Sequence, residues 1–553
     1  MKKHSTILTL FVFFCVATLL ATSCTPPAEE PPSISEETTM EESAPEEAPA
    51  GAGTSGGTLY VGVSYDTPNM DNLTSGTTFV AQLLIFDTLV TRGSDGEYYG
   101  LLAKSWEVSD DNLQWTFHLR DDVTYHDGTP FTAQTAKWFF DKARDPEGQH
   151  AFSDSYASVE EILTPDDYTL VFKLTSPWPN ILFTVSNSFS GLISPTAYEK
   201  YGEEYGTKYA VGTGPFILEE WIPEDTTTVV RNPDYNWGAE FLENRGAPYL
   251  DRVVFKLFPE ATTRISELMT GGIDMLYEVP TPDLEQIVGS GDFQIYTAPA
   301  WGGALFYLDL NQTKPPLDDV RVRQAINYAL DIDTLATLNL GEYGEPAYGY
   351  MAPHWNCGME DPRSISYTYD PQKASDLLAE AGWTDSNGNG VIDKDGQEFS
   401  MVMYIYNDSE NQSYGGVIQS QFLNVGIEVE LLMLEYGSMV DSFNANENEI
   451  SLINYGWPDS DVYNLFFASG QIPYLNSSHI DDPAMDALLE QANTAPTSEE
   501  RCQYFAEVEK LAIEDAVWAP IFWFTAVTAV NNKVHGMMIT PFSENYSNVT
   551  LGE

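Results

Sequence analysis

Histidine, cysteine, serine and paired carboxylates are the residues of this chain whose spacing could support chemistry. Residues 115–141, WTFHLRDDVTYHDGTPFTAQTAKWFFD, place His126 directly before Asp127. Such a pair could serve as a catalytic base with its orienting carboxylate, or as part of a metal site. It also fits a turn that closes a hairpin and has no chemistry, because glycine and proline follow within four residues.

Other catalytic patterns are weak. Residues 53–57, GTSGG, match the G-x-S-x-G pattern of hydrolases, but that motif needs a strand before it and a helix after it, and neither is predicted here. His354 and Cys357 lie three residues apart, yet no second pair with ligand spacing accompanies them, so we do not predict zinc. A secreted hydrolase is therefore a poor second hypothesis, and we predict no catalytic residue.

Residues 385–398, DSNGNGVIDKDGQE, resemble the first nine positions of a calcium-binding loop. Position twelve is Gly396 rather than glutamate, and an Asn-Gly turn before a strand is the simpler alternative. If calcium binds, its role would be structural, and its ligands would be Asp385, Asn387, Asn389, Val391 through its carbonyl, and Asp393.

The N-terminus predicts export. Lys2 and Lys3 precede an apolar run over residues 7–21, which is too short to span a membrane and typical of a secretory signal, residues 1–23. Small residues then lead to Cys24, as in a bacterial lipoprotein signal, so we expect Cys24 to carry a lipid. An ordinary secretory signal is the alternative. Residues 24–57 are rich in Glu, Pro and Ser and predict a disordered tether.

The composition excludes one class of binding partner and limits the number of domains. The net charge of −58 excludes a binding surface for nucleic-acid phosphates. About 500 residues remain after the tether, enough for two or three domains. Cys357 and Cys502 are the cysteines outside the N-terminal segment, and the sequence leaves open whether they form a disulfide.

Strand and helix patterns alternate along the chain. Residues 58–63 and 168–174 predict strands, and residues 115–119 alternate apolar with polar side chains, as in a strand with one buried face. Residues 79–90, 132–144, 318–331, 371–382 and 498–516 predict helices, most with one apolar face. The mixture without a repeat predicts an α/β protein with more than one lobe.

Five stretches of the sequence resemble those of a known protein family. They are LLAKSWEVSDDNLQWTFHLRDDVTYHDGTPFTAQTAKWFF, GTGPFILEEW with RNPDYNW, LDRVVFKLFPEATTRISELMTGGIDM, PLDDVRVRQAINYALD and YDPQKASDLLAEAGW. In this order they resemble family 5 solute-binding proteins, the oligopeptide- and dipeptide-binding components of ABC importers. The resemblance implies a monomeric extracytoplasmic receptor that is held at the membrane by its lipid and delivers its ligand to permease subunits.

The resemblance also implies a three-domain periplasmic-binding-protein fold, with two lobes around a ligand cleft and a small subdomain in the N-terminal lobe. His126 and Asp127 would lie in that subdomain, away from the ligand. The expected boundaries are residues 58–86, 196–300 and 527–553 for a discontinuous first domain, 87–195 for the second, and 301–526 for the third.

Similarity to the family places candidate ligand contacts along the cleft. Thr74, Ser75 and Gly76 would pair with a peptide backbone, and Gln412 would lie near the far end of the ligand. The remaining candidates are Tyr156 from the second domain and Tyr436, Asn454, Gly456 and Trp457 from the third. Tyr436 and Trp457 as ordinary core residues are the alternative.

One departure concerns the class of ligand. Peptide-binding relatives have an aspartate three residues after the cleft tryptophan, where it pairs with the peptide α-ammonium. That position is Ser460 here, so Asp459 or Asp461 must substitute if peptides bind. We therefore expect peptides, with neutral oligosaccharides as the alternative; nickel is disfavoured because histidines are lacking near these blocks.

Overall fold

A computed structural model describes residues 55–552, except 66–68, 76–78, 146–147, 149, 151–152, 300–303, 353–356, 360, 458, 474 and 541–543. The predicted signal, Cys24, nearly all of the tether, Gly76 and His354 lie outside these residues. In the described part, three sheets of four or more strands organise the chain.

The sheet of the first domain collects strands from distant parts of the sequence. Its first strand, Thr58–Val63, pairs in parallel with the strands Arg252–Leu257 and Met275–Leu276 on its two sides. In spatial order, the described strands are Phe293–Pro299, Thr525–Asn531, Met275–Leu276, Thr58–Val63, Arg252–Leu257, Thr226–Arg231 and Phe216–Ile222.

The second domain is built on an antiparallel sheet whose described strands, in spatial order, are Ala103–Val108, Gln114–Leu119, Thr169–Leu174 and Val159–Asp166. The helix Ala133–Ala143 packs on it and begins at Thr132, whose side chain accepts a hydrogen bond from the Thr135 N–H. The predicted strand and helix of this region are confirmed to within a residue.

The third domain has a mixed sheet with helices around it. Two of its strands, Leu305–Leu310 and Trp518–Trp523, are buried along their whole length, as expected of strands covered on both faces. In spatial order, the described strands are Glu345–Pro346, Trp518–Trp523, Leu305–Leu310, Ile450–Tyr455, Ser400–Tyr406 and Glu428–Leu434.

The chain crosses between the first and third domains at Phe524. This residue separates Trp518–Trp523, in the third-domain sheet, from Thr525–Asn531, in the first-domain sheet. Thr525 and Ala526 pair with Pro299 and Ala298, so sheet membership changes earlier than the boundary predicted between residues 526 and 527.

The helices largely follow the predicted patterns. The exception is residues 79–90, where the helix covers only Gln82–Ile85 and a strand begins at Val90, so the predicted long helix is wrong. The described α-helices are Gln82–Ile85, Ala133–Ala143, Ile181–Ser186, Pro195–Tyr201, Ala261–Thr270, Thr281–Ser290, Val320–Ala329, Ile332–Leu340, Pro371–Glu380, Ser409–Leu423, Tyr436–Asn444, Tyr463–Phe466, Pro483–Asn493 and Ser498–Glu514.

Short strand pairs complete the described structure. They are Val90–Arg92 with Tyr98–Gly100, Asp393–Lys394 with Gln397–Glu398, Val534–His535 with Thr550–Leu551, and Met538–Ile539 with Glu544–Asn545. A search of the described helices finds none with the length and apolar character needed to cross a bilayer.

Candidate ligand-binding site

The loop after the strand Ile450–Tyr455 carries several of the predicted contacts. Asn454 lies in that strand opposite Phe306, and Gly456 and Trp457 follow the strand directly. The Trp457 ring is half-buried against the aromatic core of the third domain, and its Nε1 donates a 2.7 Å hydrogen bond to Asp461 Oδ1. Trp457 also lines a small cavity of about 20 Å³ that is walled mainly by aromatic rings.

Asp459 forms a buried ion pair. Its carboxylate is 0% exposed and accepts hydrogen bonds from both terminal nitrogens of Arg501, whose side chain is only 3% exposed. A second buried charge already neutralises it, so Asp459 is not positioned to receive a ligand ammonium. The structure thus contradicts Asp459 as a ligand contact.

Asp461 lies in a different environment. Its side chain is half-buried beside Trp457, and its backbone N–H donates to Asp459 Oδ1 over 2.8 Å. Burial and then the neighbouring Asp459 carboxylate raise the pKa of Asp461, although Arg501 acts in the opposite direction. Of the two aspartates, Asp461 is therefore the one whose charge a cationic ligand group would stabilise.

A disulfide holds this loop in place. Cys357 and Cys502 are bonded, which answers the question that the sequence left open. Ser460 donates a 3.1 Å hydrogen bond to the Cys357 carbonyl, and Arg501, next to Cys502, donates to Cys357 Sγ. The Asp459–Arg501 pair thus ties the loop directly to the helix Ser498–Glu514, and the Ser460 hydrogen bond ties it to Cys357, which the disulfide joins to the same helix.

The second domain meets the third at this point. Asp459 and Arg501 both influence the pKa of Tyr98, which burial raises to about 12, and Asp459 also acts on Arg92. The Arg92 guanidinium lies over the Tyr98 ring, 5.6 Å from its centre. The hairpin of the second domain therefore lies against the loop that holds Trp457.

Tyr436 and Gln412 are both exposed on the third domain. Tyr436 begins the helix Tyr436–Asn444, is 65% exposed and stacks near Tyr406 with ring centres 6.4 Å apart. It is not a core residue, so the alternative interpretation is excluded for this tyrosine. Gln412 is exposed in the first turn of the helix Ser409–Leu423.

Thr74 and Ser75 belong to a tight loop of the first domain. The Thr74 hydroxyl accepts from Asn69 and donates to Asp71, while the Ser75 backbone N–H bonds to the Asp71 carbonyl. The predicted pairing of this loop with a ligand backbone stays a prediction, and Gly76 lies outside the described residues.

The family model described as bacterial extracellular solute-binding proteins, family 5 middle, matches residues 97–472 of this chain. The chain belongs to this family. Members of family 5 are solute-binding proteins rather than enzymes and act outside the cytoplasm.

Relatives of the family 5 chain agree with this assignment. The glutathione-binding protein GsiB of Escherichia coli (strain K12) is 27% identical over 459 residues, which cover 80% of this chain and 83% of GsiB. A putative ABC transporter peptide-binding protein of Brucella ovis is 28% identical over 513 residues, covering 89% and 92% of the two chains.

The fold agrees as well. The structure of the ABC transporter-associated periplasmic binding protein DppA from Helicobacter pylori, in complex with the peptide STSA, matches with a TM-score of 0.68 at 26% identity. The match covers 90% of this chain and 99% of DppA. The predicted periplasmic-binding-protein fold is therefore confirmed.

Tyr156 does not lie in the cleft of this family 5 protein. It is 2% exposed, its hydroxyl bonds to Ser190 Oγ over 2.7 Å, and its ring packs edge-on against Trp178. These contacts place it in the core of the second domain, where its side chain is enclosed by protein. The predicted contact is wrong in position.

His126 bonds across to the first domain of the family 5 fold, whereas Asp127 bonds within the second. His126 Nε2 donates to the Gly214 carbonyl over 3.0 Å, while Asp127 accepts from Ser194 and from the Thr129 N–H. Burial lowers the pKa of His126 to about 4, so the ring is neutral at physiological pH. The imidazole does not bond to Asp127, so the pair has a structural role, as the family resemblance implies.

The glycines of the GTG block, whose carbonyls accept hydrogen bonds from His126, pack closely against residues 84–85 within the first domain. A Cβ at Gly212 would lie 2.1 Å from the Ile85 carbonyl oxygen, and one at Gly214 would lie 2.4 Å from that of Leu84. Only glycine lets the two backbones approach so closely.

The predicted calcium loop forms a network of turns. Asp385 accepts from the backbone N–H groups of Gly388 and Gly390, which lower its pKa, and Asn389 Oδ1 accepts from the Val391 N–H. Asp393 accepts from Ser386, and Asn387 Oδ1 from the Asn389 N–H. The predicted ligands include amide and backbone oxygens, and calcium binding by this loop stays a prediction.

Sequence reasoning missed the polar residues around the crossover at Phe524. Glu278, Asn339 and Glu410 line a cavity of about 540 Å³ between the first and third domains. Glu410 and the predicted Gln412 belong to the same helical turn, but Gln412 does not line this cavity, and its contact with a ligand stays a prediction. No motif marks these residues, because the fold brings them together from three distant segments.

Proposed function

We propose that the protein is the receptor of an ABC importer that captures short peptides in the cleft between its lobes and passes them to permease subunits. Support comes from family membership, from relatives named as peptide-binding proteins, and from a half-buried carboxylate beside an aromatic wall. The observation that carries the proposal is the position of Asp461 next to Trp457. Such a receptor acts as a monomer and leaves its ligand unchanged.

In this proposal, Asp461 receives the α-ammonium of the peptide. Burial raises the pKa of its carboxyl, so a cation in contact with it would restore the charged form. Trp457 and Tyr436 provide apolar surface for side chains, each large side chain contributing on the order of 1.5–3 kcal/mol when fully buried. Backbone hydrogen bonds from the Thr74–Ser75 loop would let peptides of differing sequence bind.

Isothermal titration with a short peptide tests this function. The wild-type protein should bind the peptide and return it unchanged after prolonged incubation, whereas steady turnover that one substitution abolishes would contradict a binding role. Acetylation of the peptide N-terminus should weaken binding strongly, because the ammonium is then absent.

A neutral oligosaccharide is the second candidate ligand. Two observations favour it: Arg501 already neutralises Asp459, and the Tyr436 ring is exposed for stacking on a sugar. An oligosaccharide would lose most of its affinity in Trp457→Ala and little in Asp461→Asn, whereas a peptide would be sensitive to both.

We also propose that Cys24 is lipidated and holds the receptor at the outer face of the cytoplasmic membrane, with the acidic segment as its tether. The lipoprotein-like sequence before Cys24 supports this anchor. Mass spectrometry of the membrane fraction should find a diacylglyceryl group on Cys24. A soluble chain that begins elsewhere and carries no lipid would contradict the anchor.

A further inference from the structure

The cavity at the Phe524 crossover draws its walls from both lobes. The first domain contributes residues 278–282 and 525–527, and the third contributes residues 338–340 and the first turns of the helix Ser409–Leu423. Its volume of about 540 Å³ exceeds that of the small aromatic cavity beside Trp457. A side chain of a bound peptide would fit into it.

The cavity is acidic. Glu278 lies on the first-domain wall and Glu410 on the third-domain wall, and the described lining includes no Lys, Arg or His. Ser64 donates to Glu278 Oε2 over 3.1 Å, and the Tyr414 hydroxyl lies 2.9 Å from Glu410 Oε1. Each carboxylate has about four lone-pair sites, so these bonds leave acceptor capacity for a ligand.

A buried amide provides an independent indication of a ligand. Asn339 lines the cavity and is 4% exposed; its Oδ1 lies 2.9 Å from the Tyr414 hydroxyl, and its Nδ2 has no partner among the described residues. Turning the amide over would leave its oxygen without a partner instead. A buried polar atom without a partner costs roughly 1–3 kcal/mol, which a ligand hydrogen bond would offset.

We propose that this cavity binds a basic residue of the captured peptide. The ammonium or guanidinium of a lysine or arginine side chain lies between Glu278 and Glu410, and a peptide group of the ligand bonds to Asn339. This inference rests on the proposed peptide-binding function. A free peptide carboxylate is disfavoured at the same place, because it would face two carboxylates.

A defined peptide library tests the inference. Equimolar peptides of two to six residues are incubated with wild-type protein, with a Glu278→Gln, Glu410→Gln double variant, and with Glu430→Gln. Glu430 is exposed on the strand Glu428–Leu434 and does not line the cavity, so it provides a matched control. Mass spectrometry of the retained peptides then measures the enrichment of lysine and arginine over the starting library.

We expect wild type and the Glu430→Gln control to retain basic peptides preferentially. In the double variant that enrichment should fall by roughly five- to thirtyfold while peptides are still retained. The same preference should weaken between low and high salt, because the cavity is open to solvent. Asn339→Ala should lower the affinity for a lysine-containing peptide and for its glutamine-substituted counterpart by similar factors.

Each other outcome is informative. Retention of peptides without basic enrichment, or enrichment that persists in the double variant, overturns this inference but leaves the peptide-binding function intact. Failure of the wild-type protein to retain any peptide overturns both. An unchanged affinity of the matched peptide pair in Asn339→Ala would remove the amide from the site.

Discussion

Asp459 and Asp461 lie two residues apart, yet the structure gives them different roles. Asp461→Asn removes the proposed partner of the ligand ammonium and should lower peptide affinity by about thirtyfold to several-thousandfold, with little change in the melting temperature. Titration calorimetry and thermal melting measure the two effects separately.

Asp459→Asn should show the reverse pattern. The Arg501 guanidinium would remain buried without its carboxylate, which costs about 3–5 kcal/mol of stability. The melting temperature should fall clearly. If Asp459→Asn weakened peptide binding and left the melting temperature unchanged, the assignment of Asp459 as an internal ion-pair partner would be wrong.

Glu509 provides a prediction about pH. Burial raises its pKa to about 7, and this effect outweighs the hydrogen bonds that lower the pKa, among them the one that its Oε1 accepts from the Tyr350 N–H. Since the folded pKa exceeds the unfolded value, the folded state binds the proton more tightly, and this residue's contribution to stability falls as pH rises from about 4.5 to 7.

Glu509→Gln should remove that loss. The amide oxygen can still accept from Tyr350, so the variant should match wild type at about pH 4, below the unfolded pKa, and be more stable at pH 8, by on the order of 3 kcal/mol. Calorimetric melting at both pH values is the measurement, with Glu430→Gln as the exposed control. A variant less stable than wild type at pH 8 would contradict the assigned pKa.

Among the structural elements, the loop over residues 385–398 gives a prediction about calcium. If calcium binds only the native state, a hundredfold excess over its Kd should add about 2.7 kcal/mol of stability. Chelator should then lower the melting temperature of wild type but not that of Asp385→Ala. Identical melting in both would establish the loop as a turn held by its own hydrogen bonds.

The elements also show how far local sequence patterns extend. The helices Val320–Ala329 and Ser498–Glu514 were predictable because their apolar residues recur at helical spacing and capping residues precede them. Residues 79–90 are mostly apolar, and such a run does not distinguish a helix from buried extended chain. Tertiary packing against the GTG glycines decides in favour of a short helix.

The residues of the candidate site likewise divide into those that the sequence predicts and those that only the fold reveals. The family resemblance predicts Trp457 and Tyr436 as ligand contacts; the structure places Trp457 in the loop with the two aspartates and leaves Tyr436 exposed, and their contact with a ligand stays a prediction. Asp459 could not be assigned, because its partner Arg501 is 42 residues away. The acidic cavity depends on chain segments that meet only in the fold.

The net charge of the whole molecule and the charge of the cavity between its lobes have the same sign. The chain carries a net charge of −58. Two of its carboxylates line the cavity between the lobes, and the described lining contains no basic residue. A negative field of this size favours the approach of cationic ligands, and added salt screens it. Both features agree with a receptor for peptides that contain basic residues.

Identification of the ligand carried by the purified protein shows whether the protein captures peptides. The protein is purified without denaturant and its ligand is released by denaturation and analysed by mass spectrometry. We predict short peptides, enriched in lysine and arginine, that bind again to refolded wild type and far more weakly to Asp461→Asn. Release of an oligosaccharide that binds again to wild type and to Asp461→Asn with equal affinity would contradict the account.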